Sequence, residues 1–347
     1  MRALVCALAL TVWCAISVDG VTVMSYNVEN LFDDVHNGSE YPEFDPARGK
    51  WSSDQFHIRV DSIAEVIRKA VAGGPDVLVL QEIENENALD TLVDRGLAGM
   101  GYAWRVFVPK KNVSANVAIV SRLPVARVGS LGVGPWKANS PMRDVIEADI
   151  LVSGHTLYVF DNHWKARTGG VRATEVSRRE SAAVLARRIR EILVQDPGAD
   201  IIAAGDLNES VDEYTRTGKK YMTALMPDSF DLERKDAAVS IALSADARGL
   251  GASGDRLELY DPWFEMQEPQ RGSYAYQGAW LTYDHMLLSP GMLDASGFTY
   301  RGGSFVVVRL PFLLNPDGTP RSATDPRVSR GFSDHLPLLM TLDVKKQ

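Results

Sequence analysis

The stretch "VFDNHWKARTGG", Val159 to Gly170, opens as a strand and ends as something else. Its apolar run stops at His163, and Lys165 and Arg167 follow with a Thr-Gly-Gly turn. An imidazole, two cations and an accessible backbone at the end of a strand suit an anion, because polar side chains on loops carried by a rigid sheet are where sites are built. The question is whether the other strands end in the same way.

They do. β-branched or aromatic, turn-bounded runs occupy 21–26, 76–81, 103–108, 116–121, 145–152, 156–163 and 200–206, with later ones at 281–289 and 336–344. Between them, apolar residues at helical spacing predict helices over 58–71, near 87–93, and over 173–194, the last basic on its solvent face. Residues 228–258 lack a period and contain "GLGASGD", which predicts a surface insertion. The alternation predicts an α/β protein with largely antiparallel sheets covered by helices.

At 347 residues, with 45% hydrophobic and 24% charged, the chain has enough apolar material for a large core. No linker, charge block or internal repeat divides it, so one domain is expected over 21–347. Residues 1–20, "MRALVCALALTVWCAISVDG", have an early Arg and a short apolar run, which reads as an export signal or N-terminal anchor rather than a membrane span and places the protein in the periplasm, on the outer surface or outside the cell. Cys6 and Cys14, the two cysteines, both lie there. A chain without that segment has no thiol, which excludes a disulfide scaffold, a thiolate zinc site and a cysteine nucleophile. A net charge of −8 argues against polyanion binding over the whole surface but allows a local basic groove.

The strand ends carry Asn27, Glu82, His163, Asp206 with Asn208, Asp284, and Asp334 with His335. Each alone is more often a turn former or a solvated helix start. Together they describe a chemistry. Glu82, with Asn27, offers oxygen ligands to a hard divalent cation that keeps room for a phosphate oxygen. Asp206 suits the removal of a proton from an attacking water that the Asn208 amide holds, while His163 and His335 donate to oxygens on which charge accumulates. Asp284 and Asp334 suit the orientation of the two imidazoles, and Asp284 is assigned to His163. The parts amount to metal-assisted phosphoester hydrolysis.

In this order "SYNVENLF", "LQEIE", "NHWKAR", "GDLN", "YDHMLLS" and "SDH" resemble the endonuclease/exonuclease/phosphatase superfamily, from Asn27 to His335. The resemblance implies a DNase I-like four-layer α/β/β/α sandwich with two central, mostly antiparallel sheets and a Mg²⁺ or Mn²⁺ site at their shared edge. It implies Asn27, Glu82 and Asp334 on the metal side, with His163, Asp206, Asn208, Asp284, Asp334 and His335 as the catalytic set. "NHWKARTGG" with Glu175 and Arg179, and "GSYAYQGAW" before "YDHMLLS", look most like exported bacterial members, whose substrate the resemblance does not supply. Arg143 in "SPMRDV" resembles a phosphate-contacting arginine of the family, and Lys165 and Arg167 would form a substrate lip beside it.

The leading expectation is an exported, DNase-like nuclease acting as a monomer on nucleic acid, with no protein partner implied. A sphingomyelinase or other phospholipid phosphodiesterase is the first alternative; the lipid-attacking relatives expose an apolar hairpin, and no comparable loop is visible. A phosphomonoesterase on inositol phosphates or nucleotides comes next. A non-enzymatic binder on the same scaffold is the reading from another class, and it has no use for a complete hydrolytic set.

Overall fold

The computed structural model describes residues 20–134, 141–231, 233–248, 250–269, 271–324 and 330–345. The expected export segment, residues 1–19 of it, lies outside them. Among the described residues the first large sheet contains β1 (Val21–Leu31), β2 (Val77–Ile83), β3 (Trp104–Phe107), β4 (Asn116–Ser121), β16 (Phe298–Tyr300), β17 (Val306–Val307) and β18 (Leu338–Val344), in the order β16-β18-β1-β2-β4-β3 with β17 beside β18. The second contains β5 (Val125–Leu131), β6 (Val145–Val152), β7 (His155–His163), β8 (Asp200–Asp206), β9 (Leu225–Pro227), β10 (Ile241–Ser244), β11 (Gly251–Ser253), β12 (Arg256–Tyr260) and β15 (Asp284–Leu288), in the order β5-β6-β7-β8-β15-β12-β10-β9 with β11 beside β12. A separate hairpin pairs β13 (Tyr274–Tyr276) with β14 (Ala279–Leu281).

Most pairings are antiparallel; β1 with β2, β7 with β8, and β10 with its neighbours β9 and β12 are parallel. The two sheets stack face to face, β1, β2 and β4 against β7, β8 and β15. Helix α1 (Ser53–Ala70) covers the first and α3 (Val171–Gln195) the second, with the short α2 (Glu86–Thr91) beside α1. This is the expected four-layer sandwich. The central strands are buried on both faces, which explains why β1, β4 and β8 read as nearly continuous apolar runs rather than alternating ones.

Local chemistry sets the helices. Ser52 caps α1 by accepting from the Gln55 N–H, and Phe56, Val60, Ile63 and Ile67 then fall on one buried face. Along α3, Leu185, Ile189 and Ile192 do the same. A buried Leu or Phe of this kind contributes about 1.5–3 kcal/mol.

The region 228–258 is not a surface insertion. Strands β10, β11 and β12 lie in it and extend the second sheet, with Ile241, Leu243, Leu257 and Leu259 buried. The strands are only three to five residues long, too short for a period to show.

One glycine fixes how closely the two parallel strands meet. Gly205 has φ +128°, and a Cβ there would stand 1.9 Å from the Asn162 carbonyl oxygen. No other residue fits between β7 and β8 at that level, just before Asp206.

Candidate active site

The register of the second sheet sets three of the expected residues in one row. His163 on β7 is paired with Asp206 on β8, and Asp206 with Asp284 on β15. Because β7 and β8 are parallel and β15 is antiparallel, the first two lie at strand ends and the third at a strand start, all at one edge of the sheet. The chain leaves that edge under control: Trp164 N–H donates to the Asp206 carbonyl, and the Trp164 indole donates to Asn162 Oδ1 at 3.2 Å.

The first sheet supplies the opposing wall. Asn27 on β1 reaches across with its amide, Nδ2 lying 3.2 Å from Glu82 Oε1 and 3.1 Å from Asp206 Oδ2, while its Oδ1 accepts from the Glu29 N–H. Glu82 sits where the register of β2 shifts against both neighbours, and its φ is +69°. A bulge of this kind re-aims a side chain, and here it sends the carboxylate toward His163 Nε2 at 3.8 Å. Asp334 and His335 arrive just before β18, with Ser333 Oγ donating to the Asn27 carbonyl and accepting from the His335 N–H.

The two imidazoles differ. His335 Nδ1 lies 2.8 Å from Asp284 Oδ2, which also accepts from Ser273 Oγ at 2.5 Å, and its Nε2 faces Asp206 Oδ2 at 3.8 Å. Burial alone would lower its pKa, but the carboxylates of Asp284, Asp206 and Asp334 outweigh it and hold His335 well above the usual value, as an imidazolium. His163 goes the other way. Burial, with Arg143, His335 and Lys165 nearby, holds it well below the usual value, so it is a neutral ring with Nε2 3.5 Å from Asp206 Oδ2. Asp284 therefore orients His335, not His163 as the sequence suggested; the row of paired strands brings Asp206, not Asp284, beside His163, and Nδ1 of His163 has no partner among the described residues.

Asp206 is braced on both oxygens, by the Asn208 N–H at 2.9 Å on Oδ1 and by Asn27 Nδ2 on Oδ2. Burial and the charges of Asp284 and Glu82 push its carboxyl up to about 7 against the pull of His335. Asn208, at φ +53°, turns its side-chain amide to the Trp164 carbonyl at 3.2 Å, so that Nδ2 ties the loops after β7 and β8 together.

A cleft of about 640 Å³ runs over this floor, lined by Glu82, His163, Asp206, Asn208, Asp334 and His335 and walled by Tyr274 and Tyr276 of the β13–β14 hairpin. Tyr274 lies 4.7 Å from the His335 ring and 5.3 Å from Tyr283, while Tyr276 is 55% exposed and free to meet a ligand. Trp280 points away and carries the Arg309 guanidinium on its ring. A smaller pocket of about 220 Å³ adjoins at His163, lined by Tyr41, Arg143 and Lys165 among others.

Arg143 is held there by a bond from Nε to the Ala115 carbonyl. Arg167, expected on the same lip, lines the cleft and is anchored there: it pairs with the buried Glu213, donates from Nε to the Asn208 carbonyl at 2.9 Å and stacks on Tyr283. Sequence reading missed Ser273, the second support of Asp284, which lies in a loop with no chemical signature of its own.

Residues 22–344 match the model of the endonuclease/exonuclease/phosphatase family. The chain belongs to this family. In fold this family member is similar to truncated TDP2 from Caenorhabditis elegans, at 17% identity and a TM-score of 0.53 with 94% of this chain and 98% of that chain covered. It is also similar to D. rerio TDP2 complexed with a single-strand DNA product, at 15% and 0.54 over 94% and 100% of the two chains. A mannosyl-6-phosphatase from Bacteroides thetaiotaomicron shares 19% identity with a TM-score of 0.55 over 93% and 99%. No curated protein matches the sequence.

Members of the endonuclease/exonuclease/phosphatase family are phosphoesterases that generally use divalent metals, and the donor set of this one fits such an ion. Burial and the neighbouring charges of Glu29, Glu82 and Asp206 push Asp334 up to about 8, so that Asp206, Asp334 and Glu82 crowd more negative charge into one place than the site holds comfortably. A cation relieves that repulsion, and all the donors are hard oxygens. Asp206, Asp284 and His335 also have ligand-capable atoms within 4.8 Å of one another. Asp284 Oδ2 and His335 Nδ1 are already engaged with each other there, which favours the Glu82 side for the ion.

Proposed function

We propose that this phosphoesterase is a divalent-cation-dependent phosphodiesterase that cleaves nucleic acid. The observation that carries the reading is the row His163, Asp206, Asp284 across three adjacent strands, facing Asn27, Glu82, Asp334 and His335 from the other sheet. Glu82 and Asp334 are the residues that would hold a Mg²⁺ or Mn²⁺ ion; Asn27, expected with them, turns Nδ2 to Glu82 and accepts the Glu29 N–H on Oδ1. Such an ion, when bound, would neutralise charge on the phosphate oxygens.

The chain's own residues do the rest. Asp206, held by two N–H donors and close to neutral in its titration, takes the proton of the attacking water. The His335 imidazolium, fixed by Asp284, donates to a non-bridging oxygen, and neutral His163 gives a second hydrogen bond from Nε2. The open cleft lets a chain pass through, and Tyr276 at its wall offers an exposed ring on which a base can stack. The hairpin tip, Tyr276-Gln277-Gly278, is polar, which supports a nucleic acid over a membrane lipid as the substrate.

Arg143 and Lys165 would hold the neighbouring phosphate. Lys165→Ala is expected to raise KM several-fold at little cost to kcat and to flatten the salt dependence of KM by about one phosphate contact. Steady-state kinetics on an oligonucleotide across a salt series measure it, and an unchanged slope removes Lys165 from the substrate path. The size of the Arg143–Lys165 pocket supports a second reading, a phosphomonoesterase on a small phosphorylated molecule. The test of the main reading is a substrate panel of single- and double-stranded DNA, RNA, sphingomyelin and a sugar or inositol phosphate, each with Mg²⁺ or Mn²⁺ and with chelator.

A further inference from the structure

The bases of the two loops that carry the site, after His163 and after Asp206, meet at a buried ion pair that no catalytic role explains. Arg178 on α3 is fully buried, and so is its partner Glu209. Every nitrogen of the guanidinium is used. Nε donates to Glu209 Oε1 at 2.9 Å, Nη1 to the Lys165 carbonyl at 3.2 Å and to Thr174 Oγ1 at 2.9 Å, and Nη2 to the Val171 carbonyl at 2.9 Å and to Glu175 Oε2 at 2.7 Å. Glu209 is equally committed, since its other oxygen accepts the Leu225 N–H at 3.0 Å.

Lys165 stands two residues after His163, and Glu209 three residues after Asp206. One planar fork thus grips both loops at once, from beneath, without touching the cleft. A lysine in its place carries the charge but has neither the reach in a plane nor the five donors. Burying such a pair costs desolvation that well-packed apolar residues would avoid, so its presence calls for a role other than stability.

We propose that Arg178 and Glu209 are positioning residues that hold the loops leaving His163 and Asp206 together and so fix the aim of those two side chains. For its turnover readout this rests on the phosphodiesterase reading above; its second readout does not. Arg178→Lys is expected to lower kcat at least about tenfold with KM within about twofold, since displacement of reacting groups by a fraction of an ångström is costly. It should also raise amide hydrogen exchange in residues 164–170 and 207–213 together. Arg188→Lys, which disturbs an ion pair with buried Glu147 from the same helix, should leave kcat and both loops unchanged.

Hydrogen exchange and kinetics on a chromogenic bis-phosphate ester, with a melting curve for each variant, decide it. If the wild type turns over no phosphodiester, the exchange result still stands or falls alone, so the two failures are distinguishable. Exchange that rises in one loop only, or in neither, or an unchanged kcat in an active enzyme, overturns the proposal. Where Arg178→Lys fails to fold, Glu209→Gln takes its place with the same expected pair of changes. If neither variant folds, the pair is a general stabiliser and the positioning role is withdrawn.

Discussion

Asp206→Asn is expected to lower kcat by at least about a hundredfold while leaving KM nearly unchanged. The substitution keeps the size of the side chain, and an amide oxygen still accepts the Asn208 N–H that now holds Oδ1. What it removes is the carboxylate to which the proposed mechanism gives the water's proton. Asp206 is the residue on which the two sheets converge, with Asn27 Nδ2 at 3.1 Å from the first, and His163 Nε2 at 3.5 Å and His335 Nε2 at 3.8 Å on either side. Burial and like charges lift its carboxyl to about 7, which puts its basicity near working pH, where a general base is most effective. Steady-state kinetics on any substrate found in the panel, beside a thermal melt, measure the effect. A variant with near wild-type kcat would place the base elsewhere.

Asp284→Asn is expected to cost about a hundredfold or more in kcat, by a different route. Asp284 lies behind the cleft lining; it holds Nδ1 of His335 at 2.8 Å and, with Asp206 and Asp334, keeps that ring charged. An asparagine there can still accept from Ser273, so the loop stays in place. The imidazole loses its strongest counter-charge, and the hydrogen bond it gives to the phosphate weakens when charge builds up. The NMR signals of His335 should shift more than those of His163, because Asp284 bonds the former and reaches the latter only through the His335 charge. Loss of activity with His163 perturbed and His335 unchanged would restore the sequence-based pairing of Asp284 with His163.

Much of this is legible because Asn27, Glu82, His163 and Asp206 follow runs of strand-forming residues, while Asp284 opens such a run and His335 stands just before one. A polar residue where a strand ends or begins announces the edge of a sheet. What the residues could not reveal was which strand lies beside which. Only the order β7-β8-β15 shows that Asp206 separates His163 from Asp284, and pairing across a sheet is a long-range property with no local signal. The same holds for the anchoring of Arg167, which lines the cleft as expected but whose partner, Glu213, lies in another segment of the chain. Short strands defeat periodicity, which is why the sequence of β10 to β12 reads as a surface insertion, and a bulge such as that at Glu82 is a feature of two strands rather than of one.

The cation-binding reading of Glu82 and Asp334 and the nuclease reading of the cleft meet in a single experiment. Purified protein incubated with a single-stranded DNA oligonucleotide is expected to cleave it with Mg²⁺ or Mn²⁺, to stop when chelator is added and to resume when the ion is restored. Cleavage that persists undiminished in chelator, or intact DNA beside hydrolysed sugar phosphate or sphingomyelin under the same conditions, would contradict the account.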